Sequence, residues 1–188
     1  MPGPLSCRPP TRHNAQVSDF NIETYAPVWL RSHTAITACH GDRLRALVGK
    51  TLTRAWLLWD VADDTWFANG PVLLDFDGEQ VEIQHHKFDD LSVSWNSLNP
   101  RGPAHRLEFD VRWRDDGMPA LSSLHGQVLH EVELLEWRGD DLARGMVAVG
   151  FVFPHGRVTV FNALDENGLS FTTPDPRYAC HSLRRACR

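Results

Sequence analysis

No stretch of this sequence approaches the ~18 consecutive apolar residues that a membrane-spanning helix needs. Its opening, MPGPLSCRPPTRHNAQVSDF, has proline and polar residues where a secretory signal would carry an apolar segment. The phosphate-binding glycine loop, the dinucleotide glycine fingerprint, the HExxH zinc helix and the GxSxG nucleophile turn are all missing. Their absence removes the most recognisable nucleotide-binding and hydrolytic chemistries. Cysteine is scarce, with four residues at positions 7, 39, 180 and 187. Without an export signal these read as reduced thiols, and the chain reads as cytoplasmic. Lysine is almost absent: Lys50 and Lys87 stand alone among nineteen basic residues, a mark of genome composition more than of mechanism.

What is present suits one globular domain. The chain has 188 residues, 42% of them hydrophobic, with seven tryptophans. A chain of this size buries roughly 70% of its unfolded surface and needs neither disulfide nor metal to hold a core. The net charge of −5 is unevenly spread. Both flanks are basic, and residues 41–176 hold twelve basic against twenty-two acidic side chains. An acidic body repels phosphate, which argues against nucleic acid and for a basic protein as partner.

The chain repeats itself. With a shift of 77, Leu44, Leu47, Gly49, Leu52, Leu57 and Leu58 meet Leu121, Leu124, Gly126, Leu129, Leu134 and Leu135. Further on, Asp63-Asp64 meet Asp140-Asp141, Phe76 meets Phe153 and Val81 meets Val158. Self-similarity at a fixed spacing predicts one supersecondary unit used twice. Each unit opens on a helical turn closed by Gly49 or Gly126. A strand follows, then an acidic loop, a hairpin and a last strand. Asp77-Gly78 between alternating runs is the signature of a two-residue hairpin turn with positive φ. The segment TRAWLLWD is apolar on both faces and should be covered on both sides.

These patterns predict a mainly β protein: a single antiparallel sandwich or barrel-like roll, built from two pseudo-twofold-related β units with short helical turns. The expected limits are a disordered segment over 1–17, a single β domain over 18–178 and a C-terminal tail over 179–188. Within the domain, repeat one runs 42–98, repeat two 119–176, and a linking strand 105–114 joins them. Residues 18–40 fit either a strand pair or a helix, and the tail either a short helix or a frayed end.

The candidate chemistry is thin. Cys39-His40 and Cys180-His181 could supply a Cys₂His₂ zinc site only if the two flanks meet, and adjacent side chains on an extended segment point opposite ways. Metal, cofactor and catalytic residue are therefore all expected to be absent. Cys180 as a nucleophile would need a base and a positive environment. His85 continues the inward face of Val81 and Ile83 and fits a buried, hydrogen-bonded role. With His86 and His125 it could instead line a pocket between the repeats. The doublets Asp63-Asp64 and Asp140-Asp141 suit turns through side-chain bonds to the backbone, and together would form a negative patch. Trp66 and Phe67, on a loop of the first unit, are candidate anchors for a partner. The expectation is a non-catalytic interaction module, immunity-like in neutralising a basic protein through acidic loops. The competing expectation is a small-molecule binder or enzyme with a pocket between the repeats.

Overall fold

The computed structural model describes residues 25–102, 105–106 and 109–183. The expected disordered segment over 1–17 lies outside them. The described strands form two antiparallel sheets packed as a sandwich. The first contains β1 (Trp29–Leu30), β2 (Leu52–Asp60), β3 (Thr65–Trp66), β4 (Val72–Phe76), β5 (Glu79–His86), β6 (Asp90–Trp95), β7 (His105–Arg106) and β8 (Phe109–Arg114). Its order is β1-β6-β5-β4-β2-β8-β7, with β3 paired to β2. The second contains β9 (Glu131–Trp137), β10 (Val147–Phe153), β11 (Gly156–Asn162), β12 (Asn167–Ser170) and β13 (Tyr178–Ser182), in the order β12-β11-β10-β9-β13. Helices α1 (His33–Ala46) and α2 (Pro119–Ser122) precede the two units.

Both units run as four-stranded meanders, β2-β4-β5-β6 and β9-β10-β11-β12. They join where Thr51 faces Val128 in an antiparallel bridge. Around it the Gly49 N–H donates to the Leu129 carbonyl and the Gly126 N–H to the Leu52 carbonyl, both at 2.8 Å. The Leu129 N–H reaches the Lys50 carbonyl at 2.8 Å, and the Leu52 N–H the Gln127 carbonyl at 2.9 Å. Exchanging each residue for its counterpart 77 positions away maps these bonds onto one another. The exchange holds at this junction; a dyad relating the whole units does not follow from it.

Local sequence accounts for several elements. Asp77 (φ 53°) and Gly78 (φ 84°) form the two-residue turn with Phe76 opposite Glu79. Pro154-His155 take the equivalent place, with Phe153 opposite Gly156. Gly49 (φ 89°) and Gly126 (φ 81°) hold the left-handed conformation expected just after a helical turn. The first such turn is the end of the longer helix α1, started by Ser32, whose Oγ accepts the Ala35 N–H at 3.2 Å. That helix buries Ile36 and Leu44 and, with β1, gives the ambiguous region its structure from residue 29 to 40, while residues 18–24 of it lie outside the described residues.

One core lies between the sheets. Ile36 and Leu44 from α1 meet Leu52, Phe76 and Ile83 of the first sheet and Val132, Phe151 and Val160 of the second. A second cluster, Tyr25, Leu73 and Leu98 with Trp56 and Trp113 against it, covers the outer face of the first sheet. This is why TRAWLLWD is apolar on both faces.

Two segments differ from expectation. The linking segment is a hairpin and not a single strand: β7 pairs back on β8, with Arg106 opposite Phe109. Its alternation fixes which side chains share a face but not where the chain reverses. Residues 179–182 of the expected tail belong to β13, which starts at Tyr178 and pairs along β9 from Tyr178–Trp137 to Ser182–Glu133. The open edge of β9 offers unpaired backbone groups, and the tail satisfies them through main-chain bonds that composition does not advertise.

Candidate functional site

The loops at one end of the sandwich come together. The β5–β6 turn, the β9–β10 loop and the β11–β12 turn enclose an apolar cavity of about 340 Å³, lined by Phe88, Leu142, Ala143, Met146, Ala163 and Leu164, with Asp141 and Asn162. Phe88 comes from the first unit and the remainder from the second, so the cavity lies at their seam. Leu142 is 87% exposed, Leu164 82% and Phe88 51%. Single exposed apolar side chains are ordinary, but three around one concavity form a patch. Leu164 is also held at φ 63° and Asp165 at φ 75°. The left-handed region costs a leucine roughly 1–2 kcal/mol.

The acidic doublets have a structural job, and of the four aspartates Asp141 also lines the cavity. Asp141 Oδ1 accepts the Trp137 indole N–H at 2.8 Å and the Ala143 N–H at 2.9 Å. In the other unit Asp64 Oδ1 accepts the Trp59 indole N–H at 2.8 Å. Arginines lie over both rings, Arg114 4.7 Å from Trp59 and Arg177 4.3 Å from Trp137. Each second aspartate thus fixes a tryptophan, while Asp63 and Asp140 remain exposed. Asp140 borders the cavity loop. Trp66 lies half-buried and packs against the main core, and Phe67 is also half-buried.

The three expected histidines go to different places. His85 is buried at the sheet interface, with Nδ1 3.0 Å from Asn167 Oδ1 and Nε2 3.1 Å from the Val147 carbonyl. Burial, the largest effect, holds this imidazole below its ordinary range against those two hydrogen bonds. His86 packs beside Trp29, with ring centroids 5.4 Å apart. His125 Nε2 accepts the Ala55 N–H at 3.0 Å. None of the three lines the cavity.

The cysteine expectations need correction. Cys39 is disulfide-bonded and Cys180 is a free thiol, so the reading of reduced thiols throughout is overturned. His40 Nδ1 accepts the Trp95 indole N–H at 3.3 Å. With Cys39 in a disulfide and His40 so engaged, the Cys₂His₂ set is not assembled. The Cys180 thiol is pushed up to about 11, chiefly by burial and then by Glu133, the reverse of an activated nucleophile.

Two clusters were not legible beforehand. Glu82 is fully buried and accepts from Ser94 Oγ at 2.5 Å, Ser97 N–H at 2.6 Å and Leu98 N–H at 2.8 Å, with Gln80 Nε2 at 2.9 Å. These donors tie the chain after β6 to β5, so the carboxylate serves as an internal clamp. The second cluster joins three elements. Glu136 Oε2 on β9 lies 2.9 Å from His181 Nε2 on β13 and 3.2 Å from His33 Nδ1 at the start of α1. The imidazoles stack at 3.7 Å with planes 6° apart. Glu136 sits below the usual carboxylate range, first through His181 and further through Arg138. In sequence, alternation could have shown that Glu136 and His181 stand on strands, but nothing local announces their meeting with His33.

No known family model, curated protein or solved structure matches this chain.

Proposed function

We propose that this protein is a docking module for a basic polypeptide that presents an apolar side chain. The observation that carries this reading is the pair of exposed leucines, Leu142 and Leu164, flanking an open apolar cavity whose lining includes Asp141. An apolar centre that takes an anchor and a charged rim that steers it is the common anatomy of a protein interface. The acidic excess of residues 41–176 supplies complementarity to a basic partner. Neutralising a basic protein in the manner of an immunity factor fits that charge. A small-molecule substrate fits less well, because the lining offers few polar groups to orient one.

The test is fluorescence anisotropy with two labelled peptides of equal length, one of alternating leucine and arginine and one of leucine and glutamate. The basic peptide should bind, and its association should slow as salt rises from 50 to 300 mM. Leu142→Asp and Leu164→Asp should each weaken binding roughly tenfold or more without lowering the melting temperature. Equal binding of both peptides, or indifference to both substitutions, would remove the proposal.

A further inference from the structure

We infer that His33, Glu136 and His181 form a binding site for a divalent transition-metal ion, with zinc as the best-matched ion. The site stands apart from the docking cavity and does not depend on it. Two imidazole nitrogens and one carboxylate oxygen converge, all within 4.8 Å of one another. That donor set is one that zinc accepts, with a fourth position left to water. The three side chains are 21–27–30% exposed for Glu136, His33 and His181, so water and ion can both enter.

The geometry is nearly assembled. Ligands around zinc at about 2.0–2.2 Å stand roughly 3.3–3.6 Å from each other. Glu136 Oε2 already lies 2.9 and 3.2 Å from the two nitrogens; the stacked rings, 6° from parallel, must tilt apart so that both nitrogen lone pairs meet at one ion. The backbone holds the donors in place. Ala179 pairs with Glu136 and His181 with Leu134, which puts Glu136 and His181 on one face of the sheet as diagonal neighbours. Ser32 caps the helix that begins at His33, and buried Ile36 anchors its first turn.

The cluster already holds one cation, the Arg138 guanidinium, whose Nη2 reaches Glu136 Oε2 at 3.0 Å. His181 Nε2 hydrogen-bonds Glu136 Oε2, while His33 Nδ1 stands 3.2 Å from the same oxygen with its ring stacked on that of His181. On binding, the ion takes the place between the rings and Oε2; a ring whose single N–H points there moves that proton to its opposite nitrogen, and a doubly protonated ring gives one proton to solvent. Arg138, 59% exposed, is free to turn outward. Imidazole ligands select zinc and its neighbours over magnesium and calcium, which prefer oxygen. Cys180, adjacent to His181, is not a ligand, because its thiol interacts with Glu133 on the other face.

The test is calorimetric titration of the tag-free full chain with zinc chloride, and separately with magnesium chloride. We expect saturation at one zinc per chain and no magnesium signal. His33→Ala and His181→Ala should each weaken zinc by at least the roughly 10–100-fold that loss of a mere outer-shell partner costs. Cys180→Ser and His155→Ala should leave it unchanged. Circular dichroism melts confirm that the variants fold. The visible spectrum of cobalt bound to the unaltered chain reports nitrogen and oxygen coordination without any variant. Failure of the unaltered chain to saturate, full binding by both histidine variants, or loss of binding in Cys180→Ser would overturn the assignment and leave an ion-free His–Glu–His cluster.

Discussion

Asn167 Oδ1 accepts the backbone N–H of His85 at 3.0 Å and meets the His85 Nδ1 at the same distance. The same amide donates from Nδ2 to the Gly70 carbonyl at 2.8 Å. One buried side chain on β12 therefore satisfies β5 and the loop before β4. Asn167→Ala would leave these groups without partners, at about 1–3 kcal/mol for each group left bare. Chemical denaturation should show the loss as a lower midpoint at unchanged slope.

The His85 imidazole gives stability a pH dependence of definite sign. Its folded pKa lies below the unfolded value because burial disfavours the charged ring. As pH falls through about 6.5, the unfolded chain takes up its proton first, so stability is complete above that pH and declines below it. His40 and His125, lowered mainly by partial burial, add to the same trend. Urea midpoints measured from pH 7.5 to 5 should fall, and fall less steeply in His85→Gln. An identical slope in that variant would remove His85 as a contributor.

Gly117 and Gly139 lie against the two aspartate-bound indoles. A Cβ at Gly117 would come within 2.5 Å of the Trp59 ring, and one at Gly139 within 2.5 Å of Trp137 Nε1. Trp59 is buried and Trp137 half-buried, so only the second can shift toward solvent. Gly117→Ala should cost about 1–3 kcal/mol and Gly139→Ala less. Thermal melts of the two variants give the ranking directly.

Phe76 holds the sheets together. Its ring lies 5.6 Å from Phe151 and 6.4 Å from Phe153, and it is fully buried. Phe76→Ala should cost about 3–5 kcal/mol, and Phe76→Leu less because it leaves a smaller void. Denaturation midpoints measure both.

Leu164 offers a separation of stability from binding. Asparagine tolerates the left-handed conformation better than leucine does. Leu164→Asn should therefore raise stability by roughly 0.5–1 kcal/mol while weakening the basic peptide. A variant that binds normally would place the anchor elsewhere on the patch.

Much of the fold was legible because it is written locally. Alternation placed the meander strands, Asp77-Gly78 placed a turn, and Gly49 and Gly126 placed the ends of helical turns. TRAWLLWD announced a strand covered on both faces, and Tyr25, Leu73 and Leu98 supply the second cover. The acidic doublets were legible as turns but not as indole acceptors, since that role needs Trp59 and Trp137 to arrive from their strands. Trp66 and Phe67 stood out by composition, yet the more exposed apolar residues are Leu142 and Leu164, which a loop reading passes over as single leucines.

The sequence by itself determined the class of structure, the two meanders and most of the inward-facing residues, because periodicity and turn chemistry act over a few residues. Only the tertiary structure decided the hairpin of β7 and β8, the pairing of β13 with β9, the disulfide at Cys39 and the meeting of His33 with Glu136 and His181. Those depend on contacts between segments far apart in the chain. Such contacts are set by which edges and faces remain unsatisfied after the local elements form, and no short stretch carries that information.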